Sequence, residues 1–213
     1  MEIWKTLRVS HISTPPTATT AYSLKRRYTN NSLGTKDRSG HQGLPHYTHL
    51  LGLHASREAI DLGERRISLA HVESAIKKAL EEAQQTTRSA YHKATMSPRR
   101  DNLYADVLLA CALAKPDDLG YFAAADVRKP LSTIKKKLFD IPSFSRHLND
   151  FCEEKRGPIL QKLGAKHRFR FRFINPLMQP FVTMHGFING KIDRETLEQS
   201  AVAASESQRY LPM

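Results

Sequence analysis

The sequence has little cysteine and no long apolar run. Its 213 residues include two cysteines, Cys111 and Cys152, too few for a disulfide framework or a four-thiolate zinc site. No window approaches the ~18 consecutive apolar residues that a membrane helix needs. The first thirty residues also lack the apolar core of a signal peptide. We therefore expect a cytoplasmic protein with reduced core cysteines and no membrane contact.

Phosphate-binding loops are missing as well. The sequence contains neither G-x-x-x-x-G-K-[ST] nor G-x-G-x-x-G, whose backbone amides and lysine would hold nucleotide phosphates. No apolar stretch ends in paired carboxylates that could bind Mg²⁺. We therefore expect no catalytic residues, no cofactor and no nucleotide hydrolysis by this chain alone.

Histidine and cysteine spacings do not build a metal site or a nucleophile. His46 and His49 share a helix face, but His54 lies ~140° around the helix from His49, and no acid or cysteine completes a site. Cys152 and His147 are separated by the same ~140°, and Cys152 lacks the cationic neighbours that activate a thiol. No metal ligand set and no catalytic dyad is predicted.

Charge is the strongest positive signal. Lysine and arginine number 33 against 21 acidic residues, which gives a net charge of +12 and a pI of about 9.9. So basic a protein favours a polyanionic partner, most often nucleic acid. The basic excess is concentrated in the first 40 residues, at Arg128 and Lys129, at Lys135 to Lys137, and between Lys162 and Arg172.

Composition divides the chain into four parts. Residues 1–42 are rich in Ser, Thr, Asn and Pro and show no apolar period, so we expect a poorly ordered segment. Residues 43–97 have a helical pattern that ends at Ser97-Pro98, because proline disfavours helix in the residue before it. Residues 101–190 form a second unit, and residues 191–213 a flexible tail.

The first helical part is predicted to hold two helices. One runs from Leu44-Pro45 to about Leu62 and stops at Gly63. The other begins after an N-cap at Ser68 and continues as one long amphipathic helix to about Ala90. The predicted apolar face of the first helix consists of Leu50, Leu51, Leu53, Ala55 and Ile60.

The second part is predicted to hold three helices followed by a hairpin. A helix that is apolar on all sides spans 107–114, and shorter helices span about 123–134 and 144–154. Residues 159–163 and 169–173 are the two hairpin strands. Three helices and a hairpin are the elements of a winged helix-turn-helix. The predicted fold is mainly α with a small β-hairpin, a helical part followed by a winged helix.

The second hairpin strand has a cationic side. Phenylalanines at 169, 171 and 173 alternate with arginines, so one face is apolar and the other charged. The candidate phosphate contacts are Lys166, His167, Arg168, Arg170 and Arg172. A solvated face without a ligand is the alternative. In the preceding helix, acidic Asp150, Glu153 and Glu154 balance Arg146 and Lys155, which favours non-specific contact over base readout.

Several segments resemble the C-terminal part of a bacterial AAA+ ATPase of the origin-recognition or initiator-like clade. The resemblance covers about residues 43–186. It is carried by Gly43 to Gly52, Ile67 to Ala94, Asp118 to Phe122, Ile141 to Phe144, Arg156 to Leu160, Phe169 to Phe173, and Asn175 to Met178.

This resemblance implies a lid remnant, residues 43–97, followed by a winged-helix domain. In such ATPases an arginine near the start of a late lid helix senses the γ-phosphate, and His46 occupies the matching position. ATP and Mg²⁺ belong to the full-length family, whose P-loop module would precede residue 1. We therefore hypothesise an amino-truncated gene, with an out-of-frame stretch between Thr14 and Gln42.

The leading hypothesis is a truncated AAA+ ATPase-like protein whose winged helix binds DNA non-specifically or docks partners. Its rival is a pure protein-interaction module that never touches DNA. A third possibility is a subunit that joins a full-length AAA+ ATPase and influences the nucleotide cycle in trans. The dependence of DNA retention on salt separates the first two, because phosphate neutralisation makes affinity fall steeply with salt.

Overall fold

The computed structural model describes residues 44–99, 102–117, 119–165 and 168–196. The segment 1–42 that we predicted to be poorly ordered lies outside the described residues, as do Lys166, His167 and the tail from 197 on. The described helices are α1 Leu44–Asp61, α2 Leu69–Glu81, α3 Gln85–Thr95, α4 Tyr104–Leu113, α5 Ala124–Lys135, α6 Ile141–Asp150 and α7 Met178–Ile188. The strands are β1 Phe122–Ala123, β2 Leu160–Leu163 and β3 Arg170–Phe173. The predicted fold class, mainly α with a small β-hairpin, is confirmed.

Helix α1 has nearly the predicted bounds and buries only part of the predicted apolar face, Leu51 and Ala55. It ends within a residue of the expected position, and Gly63 follows with a φ of +69°, where a residue with a Cβ is strained. Leu53 and Ile60, which the sequence placed on the apolar face, are 45% and 73% exposed. The buried stripe instead repeats every four residues and packs against α2; it consists of Tyr47, Leu51, Ala55 and Ala59.

The single long helix predicted after Ser68 is wrong, because the chain breaks into α2 and α3. Gln84, the residue before α3, is extended, with a ψ of 134°. The Arg88 guanidinium donates to the Glu81 carbonyl at 3.3 Å and so caps the end of α2. Buried Ala83 and Thr87 keep the four-residue step across the break. The spacing of buried residues therefore does not indicate the turn between α2 and α3.

One hydrophobic core crosses the expected boundary at Ser97-Pro98. Helix α4 is buried on all sides, as predicted, and lies in the same cluster as the buried residues of α1 and α2. Arg156 adds a polar link across the boundary. Its guanidinium donates to the carbonyls of Ala94 and Met96, both at 3.0 Å, and stacks 3.4 Å from the centroid of the Tyr104 ring.

Helix α6 begins earlier than the predicted helix 144–154. Pro142 lies in the first turn of α6. Proline suits that turn because its missing N–H would have no partner inside the helix. After α6 the chain makes a short 3-10 turn, Glu154–Arg156, and ends it at Gly157, with a φ of +70°.

The sheet has three antiparallel strands in the order β1-β3-β2. The hairpin β2–β3 lies where the sequence predicted it, with Leu160 opposite Phe173. Strand β1 was not predicted, because two residues are too few to show alternation. It places Phe122 opposite Phe171. The inner face of the sheet is formed by Phe122, Leu160, Phe171 and Phe173, all buried.

Among the helices that the structure describes, none combines the length and the apolar character needed to cross a membrane.

Candidate nucleic-acid interface

The outer face of β3 carries two of the arginines that the sequence analysis identified as candidate phosphate contacts. Arg170 is exposed and Arg172 half-buried, while Phe171 between them faces the core. Arg168 is exposed and precedes the strand. These three residues are called the arginine face below. Alternation along β3 thus separates a structural side from a cationic side.

Phe169 departs from the predicted alternation. Strand β3 begins at Arg170, so Phe169 lies just outside the ladder and is half-buried. The Lys162 ammonium lies 4.5 Å from the centroid of the Phe169 ring and also donates to the Asn149 side-chain oxygen at 3.1 Å. Lys162 is therefore a further exposed cation of the hairpin, on the edge strand and beside the end of α6.

Arg170 is bound by an acid that the sequence did not point to. Its guanidinium forms an ion pair with Asp117, 53 residues away in the chain. The other Asp117 oxygen accepts the backbone N–H groups of Leu119, at 3.0 Å, and Tyr121, at 2.7 Å. Asp117 therefore lies beside the outer face of the sheet and neutralises one of the three residues of the arginine face.

The Arg172 charge has neutral neighbours. Its guanidinium donates to the Gln161 side-chain oxygen at 3.0 Å, from the directly opposite position on β2. It also lies 4.7 Å from the centroid of the Tyr121 ring. A cation over an aromatic ring keeps its full charge, so Arg172 can still attract an anion.

Of the remaining predicted phosphate contacts, the structure describes Arg168 alone. Lys166 and His167 lie outside the described residues. The Arg168 side chain makes no ion pair or hydrogen bond within the described ranges. The arginine face therefore contains one paired guanidinium, at Arg170, and two without an acidic partner among the described residues.

Helix α6 has a mixed charge. Arg146 is exposed, but its Nε lies 3.9 Å from Asp150, which also accepts the Tyr104 hydroxyl at 2.6 Å. Exposed Glu153 and Glu154 follow directly. A phosphate backbone laid along this helix would meet both signs of charge, so the helix adds little to the field of the arginine face.

His46 lies apart from the arginine face in the chain, near the start of α1. Its exposed ring contacts Tyr47 edge-on, with the centroids 5.2 Å apart. No hydrogen bond joins it to the hairpin in the described part of the chain. This contact is aromatic packing, which gives no support to a phosphate-sensing role.

Buried ionisable groups elsewhere form pairs that hold helices together. His54 contacts Glu82 at 3.0 Å, and His71 contacts Glu64 at 3.4 Å. Asp106 on α4 binds two lysines, Lys135 at 3.2 Å and Lys191 at 2.5 Å. In the ranges that the structure describes, no three histidine, cysteine, aspartate or glutamate side chains are grouped so that they could hold a metal ion.

The two cysteines are free, and neither is activated. Cys111 is fully buried, and burial raises the pKa of its thiol well above the ordinary range. Burial also raises the pKa of Cys152 to about 11, and its thiol donates to the Leu148 carbonyl at 3.3 Å. Both thiols are protonated at neutral pH and so are poor nucleophiles.

Comparison with protein-family models, with curated proteins and with solved structures found no match to this chain.

Proposed function

We propose that this chain is a winged-helix protein that contacts DNA phosphates through the arginine face and does not read base sequence. The observation that carries the proposal is the arginine face. Along β3, Arg170 and Arg172 flank the buried Phe171, and of the three arginines Arg168 and Arg172 have no acidic partner among the described residues. Phosphate contacts of this kind fix a protein on a duplex without distinguishing one sequence from another.

The order of elements from α4 onwards supports a winged helix. Helix α4 is followed by β1, then α5 and α6, then the hairpin β2–β3, and β3 lies between the other two strands. In such an arrangement the hairpin projects as a wing beside the helix that precedes it, here α6. The mixed charge of α6 favours a contact made mainly by the wing.

Helices α1 to α3 are proposed to be the lid remnant of an AAA+ ATPase. Support comes from the resemblance of residues 43–186 to that family. The sequence lacks a P-loop, and by this resemblance His46 replaces the arginine that senses the γ-phosphate in such ATPases. The chain is therefore proposed to bind DNA or partners without hydrolysing nucleotide.

The proposal is tested by replacing Arg168 and Arg172 together with glutamine. We expect the variant to fold as the parent does and to bind DNA more weakly. The slope of log K against log salt should fall in magnitude by about 1.8, because each arginine that neutralises one phosphate contributes about 0.9. The slope is measured by fluorescence anisotropy with a labelled duplex between about 50 and 200 mM salt.

A matched control removes the same charge elsewhere. Arg57 and Arg65 are both exposed, on α1 and in the loop after it. Their double replacement with glutamine should leave the slope unchanged. Equal loss on unrelated duplexes supports phosphate contact. If the arginine-face variant and the control have the same slope as the parent, the arginines are a solvated face and the proposal fails.

A protein-docking function is the second candidate, favoured by exposed apolar side chains around the end of α1. Ile60 is 73% exposed and Leu62 62% exposed, and Leu69 at the start of α2 adds to them. Single exposed leucines are ordinary, and a contiguous exposed apolar patch is what marks a contact surface, so the candidate depends on these three side chains forming one patch.

This second function predicts the opposite pattern of losses. Ile60→Gln with Leu62→Gln should abolish capture of an AAA+ ATPase encoded by a neighbouring gene in a pull-down, while the arginine-face variant should capture it normally. Undiminished capture by the Ile60/Leu62 variant would contradict docking through this surface.

A further inference from the structure

We propose that Asp117 is an internal competitor of DNA phosphate: it holds Arg170 in the free protein and so limits the number of phosphates that the arginine face neutralises. This inference rests on the proposed DNA contact and deepens it. Asp117 is assigned as a positioning residue that acts through Arg170.

The Asp117 carboxylate is held in place by backbone groups of its own loop, independently of Arg170. One of its oxygens accepts two backbone N–H groups, from Leu119 at 3.0 Å and Tyr121 at 2.7 Å. The Asp117 N–H in turn donates to the Tyr121 carbonyl at 2.7 Å. These bonds leave the second carboxylate oxygen directed at the Arg170 guanidinium.

The three arginines differ in the charge of the group that holds them. Arg172 contacts a neutral amide and a neutral ring, and Arg168 has no side-chain partner among the described residues. Only Arg170, of these three, is paired with an anion there. A phosphate that approaches Arg170 must displace a carboxylate of the same charge, or else bind beside it against repulsion.

The salt dependence of binding should record this difference. An arginine that stays on its own carboxylate neutralises no phosphate and releases no counterion from DNA. The wild-type slope should therefore include Arg168 and Arg172 but not Arg170. Removing the Asp117 charge should convert Arg170 into a third phosphate contact.

The test compares wild-type protein with Asp117→Asn by anisotropy on the same duplex. Asparagine keeps a side-chain oxygen that can accept the two backbone N–H groups, so the local structure should persist. We expect the slope to become steeper by about 0.9. Affinity at low salt should rise roughly fivefold, because a like charge is removed from beside the phosphate.

Two further variants separate this effect from net charge. Glu73→Gln removes one exposed acid on α2 and should leave the slope as in the wild type. Asp117→Asn combined with Arg170→Gln should return the slope to the wild-type value, because the freed arginine is then gone. Arg170→Gln alone should weaken binding without changing the slope, since it exposes the Asp117 charge.

The outcomes distinguish failure of the Asp117 competition from failure of the proposed DNA binding. If neither wild-type protein nor Asp117→Asn binds DNA, the proposed function fails and this inference fails with it. If both bind with equal slopes, or if Arg170→Gln alone lowers the slope by about 0.9, the function stands and the competition by Asp117 is refuted.

Discussion

Replacing Phe171 with alanine is expected to destabilise the protein by about 3–5 kcal/mol. Phe171 lies on the central strand β3, is 3% exposed, and packs against Phe122 of β1 with the ring centroids 6.2 Å apart. Alanine would remove the whole ring and leave a cavity that the strands on both sides keep from collapsing. Such a loss is a large share of the ~5–15 kcal/mol by which domains are stable.

Phe169 provides the matched control, two residues earlier in the chain. It is half-buried, lies outside the strand ladder and contacts the Lys162 ammonium. Phe169→Ala should cost only about 1 kcal/mol, the size of an exposed cation–π contact with some lost apolar burial. Urea unfolding followed by circular dichroism gives both free energies. Equal losses in the two variants would mean that Phe171 is not in the core.

The regular parts of the fold could be predicted because their periods are strong. The all-apolar run of α4 and the Arg–Phe alternation of β3 each span enough residues to identify an element. The stop of α1 at Gly63 and the cap of α2 at Ser68 follow from local backbone preferences. These signals lie within a few residues of the feature that they predict.

The remaining features depend on partners that are distant in sequence. The turn between α2 and α3 keeps the buried period intact, so packing of α3 against α4 and α7 decides it. Strand β1 exists because β3 pairs with it, and two residues alone carry no pattern. A short element of this kind is set by tertiary contacts more than by its own propensity.

The candidate site divides in the same way. Alternation placed Arg170 and Arg172 on the outer face, and the structure agrees. Which groups would hold them could not be predicted, because Asp117 and Tyr121 approach from a loop about fifty residues earlier. The strength of a cationic surface depends on such neighbours, so counting arginines along a strand overestimates its free charge.

Gly186→Ala is expected to destabilise the protein by about 2 kcal/mol, although alanine is the better helix former. Gly186 lies in α7 where that helix crosses α4. A Cβ built there would lie 2.6 Å from Cδ1 and 2.7 Å from Cδ2 of Leu109, far inside van der Waals contact. Leu109 is 1% exposed and belongs to the hydrophobic core, so its methyl groups can move aside only by displacing packed neighbours. The resulting overpacking, ~1–3 kcal/mol in well-packed cores, should exceed the helix-propensity gain of ~1 kcal/mol.

Gly52 and Leu109 make this prediction specific to the helix crossing. Gly52 lies within α1 with nothing within 4 Å of a built Cβ, so Gly52→Ala should stabilise the protein by about 0.5–1 kcal/mol.

Leu109→Ala alone should cost about 2–5 kcal/mol through its cavity. Combined with Gly186→Ala it should cost about 2 kcal/mol less than the two single losses together, because the new methyl group then enters the space that Leu109 vacates. Additive losses in the double variant would show that the two helices do not meet at this pair.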